Sequence, residues 1–243
     1  MAFLTLDLFS ALIDSRTGGA RALAQLADQR GWHLGGDAVY DEWDTRNKAS
    51  QASPADGAAW VPFAEHSRRA LEATYRALSL PGDPDADVGV LLDSVADWPL
   101  WPDVAAALPV LRSDHRVGVL SNVDDELFAR TRVAALVDPA DALTSERLRA
   151  YKPHPEIYRR AVAAGVDVHV PASARDTRGA LEAGMSVVRV ARPGHRVDPA
   201  GPRPAIEVTD LGQLPAALAA LVTGRDGATG PARPDPGAVR GGH

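Results

Sequence analysis

Four stretches of this chain set residues capable of chemistry at the ends of apolar runs. Asp7 follows FLTL, Ser121 and Asn122 close VGVLSN, Lys152 stands in AYKPHPEIY, and Asp176 in ARDTRGA. An aspartate in the first position serves either as a cap for the next turn or as a nucleophile at the mouth of a sheet. Ser and Asn are favoured at helix starts, and Asp124, Asp125 and Glu126 suit the positive end of a helix. The free N–H groups of such a helix start also bind a substrate anion. Lys152 taken singly is an ordinary surface lysine, and Asp176 an ordinary N-cap. None of the four alone decides between structure and chemistry.

The elements that must position them read as an α/β chain. Phe3–Leu6 is a short buried strand. From about Ser15 to Asp97 the pattern is helical. ARALAQLADQRG stops at Gly31, DAVYDEWDTRNKAS starts on a capping Asp37, and FAEHSRRALEATYRAL ends before Pro81 and Gly82. SPADG (Ser53–Gly57) and LPGDPDAD (Leu80–Asp87) are loop signals. After WPLWPD, helices and strands alternate: DVAAALPVLRSD, RVGVLSN, DDELFARTRVAAL, a short strand in ALTSE, HPEIYRRAVAAGV and VHV. DTRGALEAGM with Gly184 as its stop, SVVRVA and LGQLPAALAALV complete the series. This alternation predicts a Rossmann-like, doubly wound parallel sheet whose ligands sit at the carboxyl ends of the strands. The predicted division is a core of residues 1–14 and 98–223 and an inserted helical unit of 15–97. A Gly/Pro/Asp/Arg-rich tail, 224–243, is expected to be disordered.

Composition excludes several classes. The 243 residues are 45% apolar, enough for a sizeable core, with a net charge of −6 and pI near 5.6. Lys and Arg are scattered, so no nucleic-acid footprint is present. The absence of cysteine rules out disulfides, thiolate metal sites and a Cys nucleophile. No apolar run approaches the ~18 residues of a membrane helix, and MAFLTLD lacks the features of a signal peptide. A cytoplasmic protein without membrane partners is expected. His66 and His169 are too isolated to ligate a metal, and His169 is expected to pack within its strand. Trp60, Trp98 and Trp101 are expected to pack between insertion and core.

In their order along the chain, Asp7, Ser121, Lys152 and Asp176 resemble the four motifs of the haloacid dehalogenase (HAD) superfamily. LTLDLFSAL, VGVLSN, KPHPEIY and ARDTRGALEAGM carry the likeness, which spans roughly residues 1–222. The resemblance implies a HAD-type core with an inserted helical cap and a hydrolase working through a covalent ester on Asp7. Lys152 would neutralise Asp7 and the incoming anion, and Asp176 would position Lys152 or the hydrolytic water. An aspartate, a poor nucleophile in water, becomes competent when a lysine and amides hold it ionised and oriented.

Two departures bear on the reaction. Superfamily phosphatases carry a second Asp two residues after the nucleophile, where this chain has Phe9. They also carry a Gly-Asp pair where it has Val170-Pro171. A hard cation such as Mg²⁺ needs several oxygen ligands, so no metal or other cofactor is expected. An aromatic at the second position, the Ser-Asn dipeptide and Tyr158 resemble the 2-haloacid dehalogenase branch, which needs no metal. That resemblance implies a small anionic organic substrate whose carboxylate is held by Ser121, Asn122 and the Leu8 amide. Phe9 and Ser173 would line its site, Tyr158 and Lys152 would organise charge, and Arg46 of the cap would serve the halide. Against the branch pattern, Ala11 lacks the usual hydroxyl, Ser173 replaces an asparagine, and Asp44 occupies the position aligned with the cap arginine. A homodimer is compatible with the resemblance. Two alternatives stand beside it: a small-molecule phosphatase with an altered Mg²⁺ site, and a non-catalytic binding protein.

Overall fold

The computed structural model describes residues 1–52 and 60–226. Six strands form one parallel sheet: β1 (Phe3–Leu6), β2 (Arg116–Ser121), β3 (Ala142–Thr144), β4 (Val168–Val170), β5 (Ser186–Val190) and β6 (Ile206–Val208). Their spatial order is β3-β2-β1-β4-β5-β6. Parallel strands covered on both faces read as near-continuous apolar runs, as FLTL of β1 and VGVL of β2 do. Leu4 and Leu6 are fully buried, and Leu4 pairs with Val117 on one side and Val168 on the other. The order reverses at β1, so the carboxyl end of β1, where Asp7 stands, faces the crevice at the switch point.

Four helices are inserted after β1: α1 (Ser15–Arg30), α2 (Gly36–Ala52), α3 (Phe63–Leu78) and α4 (Pro84–Asp93). The remaining helices flank the sheet: α5 (Val104–Asp114), α6 (Asp125–Arg130), α7 (Ser145–Leu148), α8 (Pro155–Ala163), α9 (Ala174–Glu182) and α10 (Leu214–Asp226). The two connections between sheet and insertion run side by side. Ile13 bridges Leu100, the Asp14 amide donates to the Pro99 carbonyl at 2.9 Å, and Trp101 N donates to Leu12 O at 3.0 Å. Apolar packing is continuous across them, joining Leu23, Leu71 and Leu91 of the insertion to Leu6 and Val119 of the sheet. Gly18 of α1 is required by this seam, because a Cβ there would stand 2.3 Å from the Trp98 ring. Asp124, beyond β2, reaches the start of α3 and accepts from the Phe63 and Ala64 amides at 2.8 and 2.9 Å. Its carboxyl is raised above the usual range, chiefly by burial.

Several local expectations change. Helix α1 is capped by Asp14 and stops at Gly31, whose φ of 67° suits glycine. Helix α2 begins at Gly36, so Asp37 lies inside its first turn rather than capping it. LPGDPDAD is loop only in its first half: Asp83 caps and Pro84 opens α4, both strong helix-start features. DDELFARTRVAAL breaks after Arg130, with a tighter turn over Arg132–Ala135. Asp125 and Glu126 sit in the first turn of α6 as anticipated, whereas Asp124 serves α3. Strand β6 was not anticipated, its three residues being too short a signal. Helix α10 continues through Asp226, three residues into the segment expected to be disordered. The loop signal Ser53–Gly57 and residues 227–243 lie outside the described residues.

Candidate active site

Asp7 ends β1 and opens a tight helical turn, Leu8–Leu12, so both structural and chemical demands fall on one carboxylate. Its Oδ2 accepts from the Ser10 amide at 2.9 Å and from the Ser10 hydroxyl. Its Oδ1 accepts from Lys152 Nζ at 3.0 Å and from the Ser121 hydroxyl at 3.3 Å. Asp7 is thus the turn cap, with its other oxygen held by a cation at the carboxyl end of β2. Only 8% of the residue is exposed. Sequence reasoning missed Ser10: it noted the hydroxyl absent at Ala11, but the neighbouring serine meets Asp7 instead.

Lys152 is 3% exposed and its ammonium is shared, with Asp176 Oδ2 at 2.6 Å. Asp176 sits in the first turn of α9, whose N-cap is Ser173: the Asp176 amide donates to the Ser173 hydroxyl at 3.3 Å. Tyr158 of α8 donates to Asp176 Oδ1 at 2.9 Å. His169 of β4 brings Nε2 to 3.0 Å from Asp176 Oδ2 and Nδ1 to 3.1 Å from the Thr5 hydroxyl. Nδ1 is also 3.1 Å from the Thr5 carbonyl, so Nε2–H donates to Asp176 while Nδ1 either accepts from the Thr5 hydroxyl or, when protonated, donates to the Thr5 carbonyl. Burial opposes ionisation of Asp176, yet Lys152 and His169 together hold its carboxyl well below the usual range. Burial, and then Asp176, push the Tyr158 phenol far up, so it remains a donor.

His169 was expected only to pack within its strand, but it is the fourth member of this buried cluster. An alternating apolar strand gives no sign of which element its one polar side chain will face. Tyr158, fully buried, braces Asp176 from behind and does not reach the cleft. Asn122 likewise has a structural use. Its Oδ1 accepts the Lys152 amide at 2.7 Å, and its Nδ2 donates to the Lys152 carbonyl at 3.0 Å and to Gln51 Oε1 at 2.8 Å. It clamps the Lys152 backbone and ties it to α2.

A cleft of about 690 Å³ opens above Asp7 between the sheet edge and the inserted helices. One wall is aromatic: Phe9 stacks on Phe63 with centroids 5.9 Å apart and meets Trp98 edge-on at 5.8 Å. Trp101 also lines it and holds the Ser10 carbonyl through its indole N–H at 3.1 Å. Ser121, Asn122, Lys152, Ser173 and Asp176 line the cleft, and the Leu8 side chain packs in the core. Arg46 is not on the cleft and pairs with Glu42 at 2.5 Å, because two residues of α2, about 200° of helix, separate it from Asp44 and Lys48 and turn it to another face. Asp44 and Lys48 of the same helix line the cleft and pair with each other at 2.5 Å. Among the cleft residues not foreseen are Arg175 of α9 and His195 beyond β5. Arg175 donates to the Lys48 carbonyl at 2.8 Å and weakly to Gln51 Oε1 at 3.4 Å, and burial lowers its pKa. Burial, then the Lys48 charge, lowers that of His195.

The donor set does not suit a divalent cation. Phe9 presents a ring, Pro171 no side-chain oxygen, and both Asp176 oxygens are engaged by Lys152, His169 and Tyr158. Among the described residues no group of three His, Asp or Glu is arranged to share a metal ion. None of their helices is long and apolar enough to cross a membrane.

No family model matches this chain, and no curated protein does. Solved structures do. A defluorinating L-2-haloacid dehalogenase, Rha0230, is 24% identical over 90% of this chain and 95% of its own, with a TM-score of 0.76. A dehalogenase structure is 25% identical, covering 90% of this chain and 96% of its own, with a TM-score of 0.73. The L-2-haloacid dehalogenase from Xanthobacter autotrophicus with chloropropionic acid covalently bound is 23% identical, covering 90% and 99%, with a TM-score of 0.76. The chain therefore has the fold of the haloacid dehalogenases.

Proposed function

We propose that this chain is a hydrolase forming a covalent ester on Asp7, without a metal, on a small carboxylate-bearing substrate in the manner of the 2-haloacid dehalogenases. The observation that carries the reading is Asp7 itself, held by Lys152, Ser10 and Ser121 at the floor of a cleft whose facing wall is aromatic. Helices α1–α4 form the cap over that floor. One Asp7 oxygen attacks the carbon bearing the halogen, and the C–O bond forms as the C–halogen bond breaks. Halide leaves with the bonding pair. Water then adds at the Asp7 carboxyl carbon and the ester opens. One water proton ends on the product hydroxyl and the other in solvent. Asp176, braced by Tyr158 and His169, positions Lys152. Phe9, occupying the place of a phosphatase's second aspartate, supports carbon rather than phosphorus as the reacting centre.

The test is single-turnover reaction in ¹⁸O water, with and without EDTA, on 2-chloropropionate and on phosphate esters. The label is expected in Asp7 with the chloroacid alone, and EDTA is expected to make no difference. Metal-dependent phosphate release would establish the phosphatase alternative, and no turnover of either class would leave a binding protein.

A further inference from the structure

The cations that line the cleft differ in one respect. Arg16 pairs with Asp37 at 3.1 Å and Asp41 at 2.8 Å, Lys48 with Asp44, and Lys152 with Asp7 and Asp176. Among the described residues, the Arg175 guanidinium has no carboxylate within ion-pair distance. Its recorded acceptors are a backbone carbonyl and an amide oxygen, both neutral. A half-buried guanidinium without a paired carboxylate is open to an anionic ligand that would complete it. Two of the three groups expected to hold the substrate's carboxylate are already used: the Ser121 hydroxyl donates to Asp7, and the Asn122 side-chain amide spends both ends on Lys152 and Gln51, which leaves the neutral Leu8 amide. Arg46, the cap cation, is turned away.

We infer that Arg175 is the anchor for the substrate's carboxylate, a planar fork offered from the first turn of α9 into the cleft. The Lys48 carbonyl and Gln51 fix the guanidinium from the cap side, and Gln51 ties it through Asn122 to the Lys152 backbone. The anchor is thereby in register with the lysine that holds Asp7. Guanidinium matches carboxylate geometry in a way an ammonium does not. The inference rests on reading the cleft as an acid-binding site, but not on the bond that is broken there.

The experiment uses the full chain carrying Asp7→Asn, titrated by calorimetry with 2-chloropropionate and with its neutral amide, 2-chloropropionamide. The acid is expected to bind more tightly than the amide by about 10- to 100-fold, the range of a charge-assisted hydrogen-bonded pair. Adding Arg175→Gln should remove that preference while leaving the amide's affinity unchanged, and Arg175→Lys should keep part of it. Unchanged acid affinity with Arg175→Gln overturns the inference, as does no binding of the acid to the Asp7→Asn chain. An equal loss for acid and amide also overturns it, since that marks a structural role. Carboxylate binding through Arg175 in a wild-type chain that never forms the Asp7 ester would refute the hydrolase reading and leave this one standing.

Discussion

Lys152→Met is the substitution on which the proposed chemistry depends most. The ammonium lies 3.0 Å from Asp7 and 2.6 Å from Asp176, with all three groups nearly excluded from water. At an effective dielectric near 20, each contact is worth about 6 kcal/mol of Coulomb energy before desolvation is counted. Removing one partner of a buried pair typically costs about 3–5 kcal/mol, because it strands the opposite charge. Two carboxylates are stranded here, and the cheapest relief is for one to take a proton. In the variant that carboxyl has its pKa raised above the unfolded value, so the relief is complete at low pH and is lost as pH rises. Urea unfolding should therefore show a loss of about 3–5 kcal/mol at pH 8 and a smaller one at pH 5. Adding Asp7→Asn removes one stranded charge and should recover part of the loss at pH 8. The ¹⁸O experiment on the single variant should show no label in Asp7. A loss below about 1 kcal/mol at pH 8, the range of an exposed pair, would refute the reasoning. So would a double variant no more stable than the single one.

Two further outcomes follow from groups that only the structure brings to notice. Ser10→Ala removes the hydroxyl from Asp7 Oδ2 but keeps the Ser10 amide bond; rapid-quench kinetics should show ester formation slowed about tenfold, as expected of lost orientation, with unchanged KM. An unchanged rate would mean that the amide and Lys152 suffice. The second concerns pH: burial lowers the pKa of His66 and His195, so both stay neutral in the fold below the pH at which the unfolded chain protonates them. Their contribution is present above about pH 6.5, the unfolded value, and is lost as pH falls through the lower folded values. Melting temperature should drop between pH 7 and 5, and a His66→Gln/His195→Gln chain should show a flatter profile; a flat wild-type profile counts against it.

The legible parts of the fold were those whose signal is local. Gly31 ends α1 and the acids of α6 fill its first turn because caps and helix ends depend on a few neighbouring residues. The alternation of strands and helices gave the parallel sheet, and with it the placement of Asp7 and Ser121 at one edge. What misled was also local chemistry read in isolation. PGDPD signals a turn, but Asp83 followed by Pro84 is also a capped helix start, and only the packing of Leu91 into the core selects that reading.

The candidate site was legible at the residues whose partners come from other motifs, and obscure where a residue's role depends on which way its element faces. Asp7, Lys152 and Asp176 needed only their order along the chain, and they meet within hydrogen-bonding distance. Arg46 needed the rotation of α2, and that rotation puts Asp44 and Lys48 on the cleft instead. Asn122 needed knowledge of the Lys152 backbone, which consumes the amide expected to face substrate. These displacements are coupled. An asparagine turned toward the backbone and a serine engaged by Asp7 leave a carboxylate substrate only the Leu8 amide of its expected grip, and the arginine turned out of the cap brings no charge to it. Arg175, one residue before Asp176 and so on the α9 turn that faces Lys152, is the cation left to supply it.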